Sequence, residues 1–382
     1  MNADIVHAGF DGLRVSVDPP IFPSVREALA SAKEQALELK SPIPVQINGM
    51  EFLVRHTGNR AFSLHTGEYG AELYLHDPKE GAIPGPSVTV DFRAFHLATQ
   101  GLEGARLYFL QAMESLEVRF HPDQMRISRV DFAVDILAPW FVPDVDAVIL
   151  PARTTKREFR EKDTSQRFFA NTEVTGITCG HVSNRQMVIY DKRAEVLSKK
   201  KLGWLTIWNE TRARDGLPPI DLEDRNTSRV WRFENRVGSK CLRRRWLIKS
   251  FEDLDAMIGD VFEESLTKMR YAEPQTDGNR ARWPDHELWA LLRSVVENNL
   301  SDYRSGVIPS EVRDVNRSEH MRMTDQNILG NLIARAVASD IKADEFWTFV
   351  TLHINELRGV SDAHKLTLEE RFAKASGRYR FR

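Results

Sequence analysis

The stretch Arg126–Ile136, RISRVDFAVDI, decides the fold. Phe132, Val134 and Ile136 alternate with Asp131, Ala133 and Asp135, the period of two that sends successive side chains to opposite faces of a strand. One face is apolar and requires a core. The other carries two aspartates, with Arg129 on the same side. Paired carboxylates repel unless solvent, an arginine or a cation offsets them.

Two later stretches repeat this design. In Gly180–Lys192, GHVSNRQMVIYDK, the residues Asn184, Gln186, Val188, Tyr190 and Lys192 fall on one side of an extended chain. Arg185, Met187, Ile189 and Asp191 fall on the other. In Val230–Val237, Trp231, Phe233 and Val237 alternate with Arg232, Glu234 and Arg236. If the three strands are neighbours, their polar faces make one surface.

That surface has two readings. It is either the solvated face of a sheet, its carboxylates bridged to Arg129, Arg232 or Arg236, or a set of parts for phosphodiester transfer. In the second reading Asp131, Asp135 and Glu234 hold Mg²⁺ or Mn²⁺, hard cations that prefer oxygen ligands. The metal would polarise the scissile phosphate. Tyr190 would attack phosphorus and conserve the bond energy as a phosphotyrosine. Lys192 and Arg232 would stabilise charge on the phosphoryl oxygens. A free tyrosine has a pKa of about 10, so it needs a metal or a nearby cation to activate it.

The rest of the chain frames these strands. Phe10–Asp18 reads as a strand, and Ser24, with Glu27 at capping-box spacing, as the start of a helix through Leu39. Met50–His56, Phe62–Thr66, Ala71–His76 and Ser87–Phe92 are short β-like runs. Leu97–Leu116 has helical periodicity, with Leu102, Leu110, Met113 and Leu116 on an apolar stripe interrupted early by Gly101 and Gly104. Strand, helix, strand is a βαβ-like crossover. Between Arg153 and Asn171 a basic loop and an edge strand near Gln166–Ala170 are expected, and Arg193–Lys201 reads as a helix. Trp204 and Trp208 are candidates either for stacking on single-stranded DNA or for the core.

Past Phe251 helical patterns dominate: Phe251–Met269, Asp285–Leu300, Thr324–Ile341 and Ala343–Leu357. Pro274, Gly278 and Pro284 mark a boundary between Met269 and Trp283. The expected architecture is therefore α+β: a mixed or antiparallel sheet with helices packed on one face and a polar catalytic face, then a mostly helical region. Residues 1–270 would form the catalytic domain and 271–382 a helical domain for DNA binding, partner binding or dimerisation.

At 382 residues the chain exceeds the usual single-domain size, and with 42% hydrophobic and 28% charged residues it has the composition of a soluble globular protein. Its net charge is only −2, yet Arg153–Lys249 carries 23 Lys and Arg against 12 Asp and Glu, leaving −13 for the remainder. Such asymmetry points to a polyanionic partner for the middle segment. Arg129, Arg185, Arg236 and the run Arg243, Arg244, Arg245 are the expected DNA contacts, giving salt-sensitive binding. Two cysteines, Cys179 and Cys241, make neither a disulfide framework nor a thiol metal site. With no signal peptide and no apolar run long enough for a bilayer, a cytoplasmic setting without a membrane partner is expected.

Other chemistries lack their motifs. GxxxxGK[ST], HExxH, paired-Cys zinc spacing and a His-x-His pair are all absent. The opening GFDGLRVSVD, then RVDFAVDI, GHVSNRQMVIYDK and WRFENRV together resemble the replication initiation factor family (Rep_trans), which contains rolling-circle plasmid initiators, phage proteins and relaxases of integrative elements. The resemblance spans Phe10 to Arg245. It implies site-specific DNA nicking and closing at an origin, through a tyrosine nucleophile and a divalent metal. By motif position the nucleophile is Tyr190, and the acidic residues are Asp131 and Glu234, with Asp135 less firmly matched. A helicase and a second copy of the chain are further implied partners, and a bacterial setting is implied only by this resemblance. The segment Arg193–Lys201 and the polar insertion Asn209–Ser228 do not map onto the family. A non-enzymatic origin-binding protein and a metal-dependent hydrolytic nuclease are the alternatives.

Overall fold

The computed structural model describes residues 3–57, 61–67, 70–76, 86–151, 154, 156–160, 174–199, 201–300, 309–363, 367–369 and 371–372. The chain falls into two compact units, Met1–Ser305 and Gly306–Arg382.

The first unit is built on one sheet of eleven strands. In chain order these are β1 (Asp4–Val17), β2 (Ile43–Ile47), β3 (Met50–Val54), β4 (Phe62–His65), β5 (Ala71–Leu75), β6 (Val88–Phe92) and β7 (Met125–Leu137). The short β8 (Val148–Ile149) stands outside the sheet, which resumes with β9 (Lys156–Arg160), β10 (Val174–Gly180), β11 (Arg185–Asp191) and β12 (Val230–Gly238). Their spatial order is β2-β3-β4-β5-β6-β1-β7-β12-β11-β10-β9, antiparallel at every pairing. The helices are α1 (Pro23–Leu39), α2 (Ala94–Ser115), α3 (Lys192–Ser198), α4 (Gly203–Arg214), α5 (Arg225–Ser228), α6 (Ser239–Arg244), α7 (Phe251–Lys268) and α8 (Glu287–Asn299).

The expected crossover is present with one addition. β6 and β7 are both antiparallel to β1, which lies between them, so α2 connects two parallel strands across a central third. α2 buries Leu102, Ala105, Phe109, Ala112 and Met113, while Leu110, expected on that stripe, is exposed. Leu110 stands one residue, about 100° of helix, from Phe109. Gly101, at φ 65°, breaks the helix in its first turns. α1 starts at Pro23 after Phe22 and has no side-chain cap, so the Ser24–Glu27 box does not form. α7 does have one: Ser250 and Asp253 exchange side-chain and backbone hydrogen bonds. The edge strand of the basic segment is β9; the expected one near Gln166–Ala170 lies outside the described residues.

Alternation decides which face meets the core. Phe132, Val134 and Ile136 of β7, Trp231 and Phe233 of β12, and Met187 and Ile189 of β11 join one large apolar cluster with α2, α7 and α8. The opposite face carries the charged residues, and at one end a smaller cluster of Val6, Leu137, Val230, Trp204 and Trp208 brings α4 down onto it. The sequence from Met269 to Trp283 is tied into this unit: β13 (Arg270–Tyr271) pairs with β8, and Glu273 N donates to Pro284 O at 2.9 Å. The second unit contains α9 (Pro309–Ala338) and α10 (Phe346–Asp362). Among the described residues no helix is long and apolar enough to cross a membrane.

Candidate functional site

The sheet places β7, β12 and β11 side by side. Arg232 faces Asp135 on one flank and Tyr190 on the other, while Arg236 faces Asp131 and Gln186. The three polar faces therefore form one surface. Asp131 and Asp135 are four residues, about 13 Å, apart along β7, and each has its own charge cluster.

Arg232 organises the first cluster. It is fully buried, donating from Nε and Nη2 to the two oxygens of Asp135 at 2.6 and 2.7 Å and from Nη1 to Asp11 at 2.6 Å. Trp208 Nε1 donates to Asp135 Oδ2 at 2.8 Å, and the guanidinium stacks 4.1 Å from the Trp204 ring centre. Burial alone would raise the Asp135 pKa, but the arginine holds it below the usual carboxylate range. His7, register partner of Asp135, is buried with Nε2 lacking a hydrogen bond, and desolvation pushes its pKa down to about 4. Both tryptophans are buried, so neither is a stacking platform for DNA bases.

The second cluster contains Arg129, Asp131, Glu234 and Arg236. Arg236 grips Glu234 with Nε and Nη2 at 2.6 and 2.8 Å and reaches Gln186 at 3.1 Å. Arg129 Nε donates to Asp131 Oδ1 at 3.0 Å, and its Nη2 lies 4.0 Å from Glu234. Asp131 Oδ2 is in ion-pair contact with Arg129 but accepts no well-directed hydrogen bond. A Cβ on Gly12 would sit 2.5 Å from that oxygen, so only glycine leaves room for it. Desolvation first, and the Glu234 charge second, raise the Asp131 pKa.

Tyr190 lies on the same face, half-buried, beside Gly176, whose missing side chain leaves space next to the Tyr190 Cβ. Lys192 Nζ donates to its hydroxyl at 3.4 Å and to Glu195 at 2.6 Å. Lys192 is itself buried, which lowers its pKa, with Arg232 adding to the effect. Burial pushes the Tyr190 phenol well above its usual range, and Arg232 opposes this only in part. The phenol is thus held protonated at neutral pH.

The expected metal set does not assemble as a set. Asp131 and Glu234 come together through Arg129, whereas Asp135 is spent on Arg232 and Trp208. Every one of the three carboxylates already has an arginine partner, two of them bidentate. Among the described residues no group of three or more His, Cys, Asp or Glu side chains is arranged to hold a metal ion. In this arrangement each of the three carboxylates faces a guanidinium.

The expected DNA-contacting arginines also divide. Arg129 and Arg236 belong to the second cluster. Arg185 and Arg245 converge on Glu264 of α7, at 2.5 Å and, for Arg245 Nε, 2.8 Å, with Lys268 on the same carboxylate. Arg243 and Arg244 are exposed on α6 with no ion-pair partner among the described residues. Sequence reasoning missed His7 and Asp11. Asp11 sits at a β-bulge in β1 between Phe10 and Gly12, and glycines flanking an acidic residue were the available signal.

No family model matches the sequence, and no curated protein does. Among solved structures, a rolling circle replication initiator protein from Geobacillus stearothermophilus is similar at 15% identity and a TM-score of 0.37, over 78% of this chain and 97% of that one. The likeness is weak and carries no argument about activity.

Proposed function

We propose that this protein nicks and rejoins single-stranded DNA with Tyr190 as the nucleophile, in the manner of a rolling-circle replication or transfer initiator. The observation that carries the reading is the placement of the Tyr190 hydroxyl 3.4 Å from Lys192 Nζ, on a strand hydrogen-bonded to the one bearing Arg232. A phenol among cations on an otherwise paired polar face has the company a phosphotyrosine needs. In the reaction the Tyr190 O–P bond forms as the P–O3′ bond breaks. The phenol proton ends on the leaving 3′ oxygen, and Lys192 is in position to relay it. The exposed Arg243 and Arg244, within the basic middle segment, supply phosphate-backbone contacts.

A pool of random-sequence, 3′-labelled single-stranded DNA, with Mg²⁺ or Mn²⁺ supplied, tests this. A denaturant-resistant protein–DNA adduct is expected from the wild type and none from Tyr190→Phe. Cleavage that survives in Tyr190→Phe would sink the reading in favour of hydrolysis by water.

A second reading is favoured by one observation: each of Asp131, Asp135 and Glu234 is neutralised by an arginine. A protein that binds origin DNA without cutting it needs no free carboxylates. Retention of the DNA pool without any cleavage in either metal would support that role.

A further inference from the structure

A proton relay at Tyr190 depends on where Lys192 is held, and one carboxylate decides that. β11 runs into α3 without a linker. Asp191 caps the helix, accepting from Ala194 N at 2.8 Å, and its other oxygen is paired with Arg229 at 3.2 Å. Lys192 is therefore the first residue of α3, and Glu195 lies three residues on, a spacing that brings two side chains together on a helix. Lys192 Nζ donates to Glu195 Oε2 at 2.6 Å and to the Tyr190 hydroxyl at 3.4 Å. The Trp204 ring closes a third side, its centre 4.7 Å from Nζ.

An ion pair of this spacing contributes little when it lies in water. This one does not: the Lys192 side chain is 3% exposed and that of Glu195 16%. A buried ammonium requires a counter-charge, and the other acids nearby are committed. Asp135 and Asp11 are both spent on Arg232. Among the described residues Glu195 is the one carboxylate hydrogen-bonded to Lys192. Its second oxygen is anchored from outside by Lys199 at 3.0 Å, with Lys201 at 3.6 Å. The outer lysines fix the carboxylate and leave Oε2 aimed inward.

We propose that Glu195 is the positioning residue of the site: Oε2 holds the Lys192 ammonium against the Tyr190 hydroxyl, while Oε1 stays anchored to Lys199. The catalytic consequence rests on the Tyr190 reading; the contact itself does not. In the relay Lys192 begins and ends as an ammonium. It gives a proton to the 3′ oxygen as the P–O3′ bond breaks and takes the phenol proton as the Tyr190 O–P bond forms. Glu195 transfers no proton. Burial first, and Arg232 second, push Lys192 toward the neutral amine, and Asp11, Glu195 and Asp135 oppose them. Of the other titratable groups facing Lys192, His7 is uncharged above its pKa of about 4, and the Tyr190 phenol ionises well above its usual range.

Two measurements test this on the full chain. The ¹³Cε resonance of Lys192, assigned with Lys192→Arg, reads its protonation without any DNA. The wild type should show an ammonium at about pH 8, and Glu195→Gln should lower the titration midpoint by about one unit or more. A neutral Lys192 in the wild type overturns the proposal even if the variant fails to fold. An unmoved midpoint in folded Glu195→Gln overturns it too. The second measurement is the rate of adduct formation on the 3′-labelled DNA pool between about pH 6 and 10. Glu195→Gln should move the alkaline limb to lower pH by the same amount, and Glu195→Asp should restore it in part. An equal loss of rate at every pH means a structural role alone and overturns the proposal. A wild type that forms no adduct sinks the Tyr190 reading instead, and the Lys192 midpoint then decides the placement by Glu195.

Discussion

The two charge clusters on the polar face use the same residue types on the same strands and come out differently. Around Arg232 the guanidinium and its acids are paired: three guanidinium nitrogens meet two carboxylates, and an indole adds a second donor to Asp135 Oδ2, which leaves only the neighbouring His7 Nε2 without a hydrogen bond. Around Asp131 one carboxylate oxygen has no directed hydrogen bond, and Arg129 and Arg236 are 27% and 26% exposed. The first cluster is scaffold. Under the proposed function, the second is where an incoming phosphate would exchange partners with a guanidinium, because the arginines are reachable and one acid is poorly satisfied. Tyr190, paired in register with Arg232 and within the field of Glu234, stands between them.

Removing Arg232 tests that division most severely. Arg232→Leu strands Asp135 and Asp11 without their cation, and an uncompensated buried charge costs about 3–5 kcal/mol. Arg129→Leu removes a partly exposed partner and should cost roughly 1 kcal/mol, discounted for solvent screening. Denaturant unfolding of both variants at pH 7 checks the contrast. Equal losses would mean that the clusters are energetically alike.

His7 gives the next largest effect. Its folded pKa, about 4, lies below the unfolded value of 6.5, so as pH falls the unfolded chain takes up the proton first. Stability is therefore lost between pH 6.5 and about 4, by roughly 3 kcal/mol from this group alone. Glu264 and Glu195, each with a folded pKa of about 2, act in the same direction but only below their unfolded value of 4.5. Comparing the wild type with His7→Phe at pH 7 and pH 5 separates the histidine from Asp131, whose raised pKa acts in the opposite direction over that interval. His7→Phe should flatten that interval, and an unchanged slope would place the titration elsewhere.

Much of this was legible from alternation. A period of two put Asp131, Tyr190, Arg232 and Glu234 on one face and their apolar neighbours on the other, because a buried sheet face leaves no freedom in register. What alternation cannot give is which charges meet across strands. Asp135 looks equivalent to Asp131 along β7, and only the register opposite Arg232 makes one a scaffold acid and the other a strained one. His7 and Asp11 were missed for a related reason. The strand was read from Phe10, but β1 begins at Asp4, and the bulge after Phe10 brings Asp11 to Arg232. The tryptophans of α4 were ambiguous because helix periodicity does not say which face of a sheet a helix will cover.

The smallest expected effect is also the most discriminating. Asp131 has a folded pKa above its unfolded value of 3.8, so as pH rises the unfolded chain ionises first and stability falls through the folded pKa. Asp135 is the opposite case: Arg232 depresses its pKa, so it adds stability above pH 3.8 that is lost on acidification. At pH 8, Asp131→Asn should therefore stay within about 1 kcal/mol of the wild type, since it removes a costly buried charge along with one hydrogen bond. Asp135→Asn should lose several times that. Thermal melts of both from pH 5 to 8 make the test. The Asp131→Asn curve should converge with or overtake the wild type as pH rises, while the Asp135→Asn deficit should hold. If the two substitutions cost the same at every pH, the unsatisfied oxygen of Asp131 is no weak point, and a phosphate has no preferred place to enter this face.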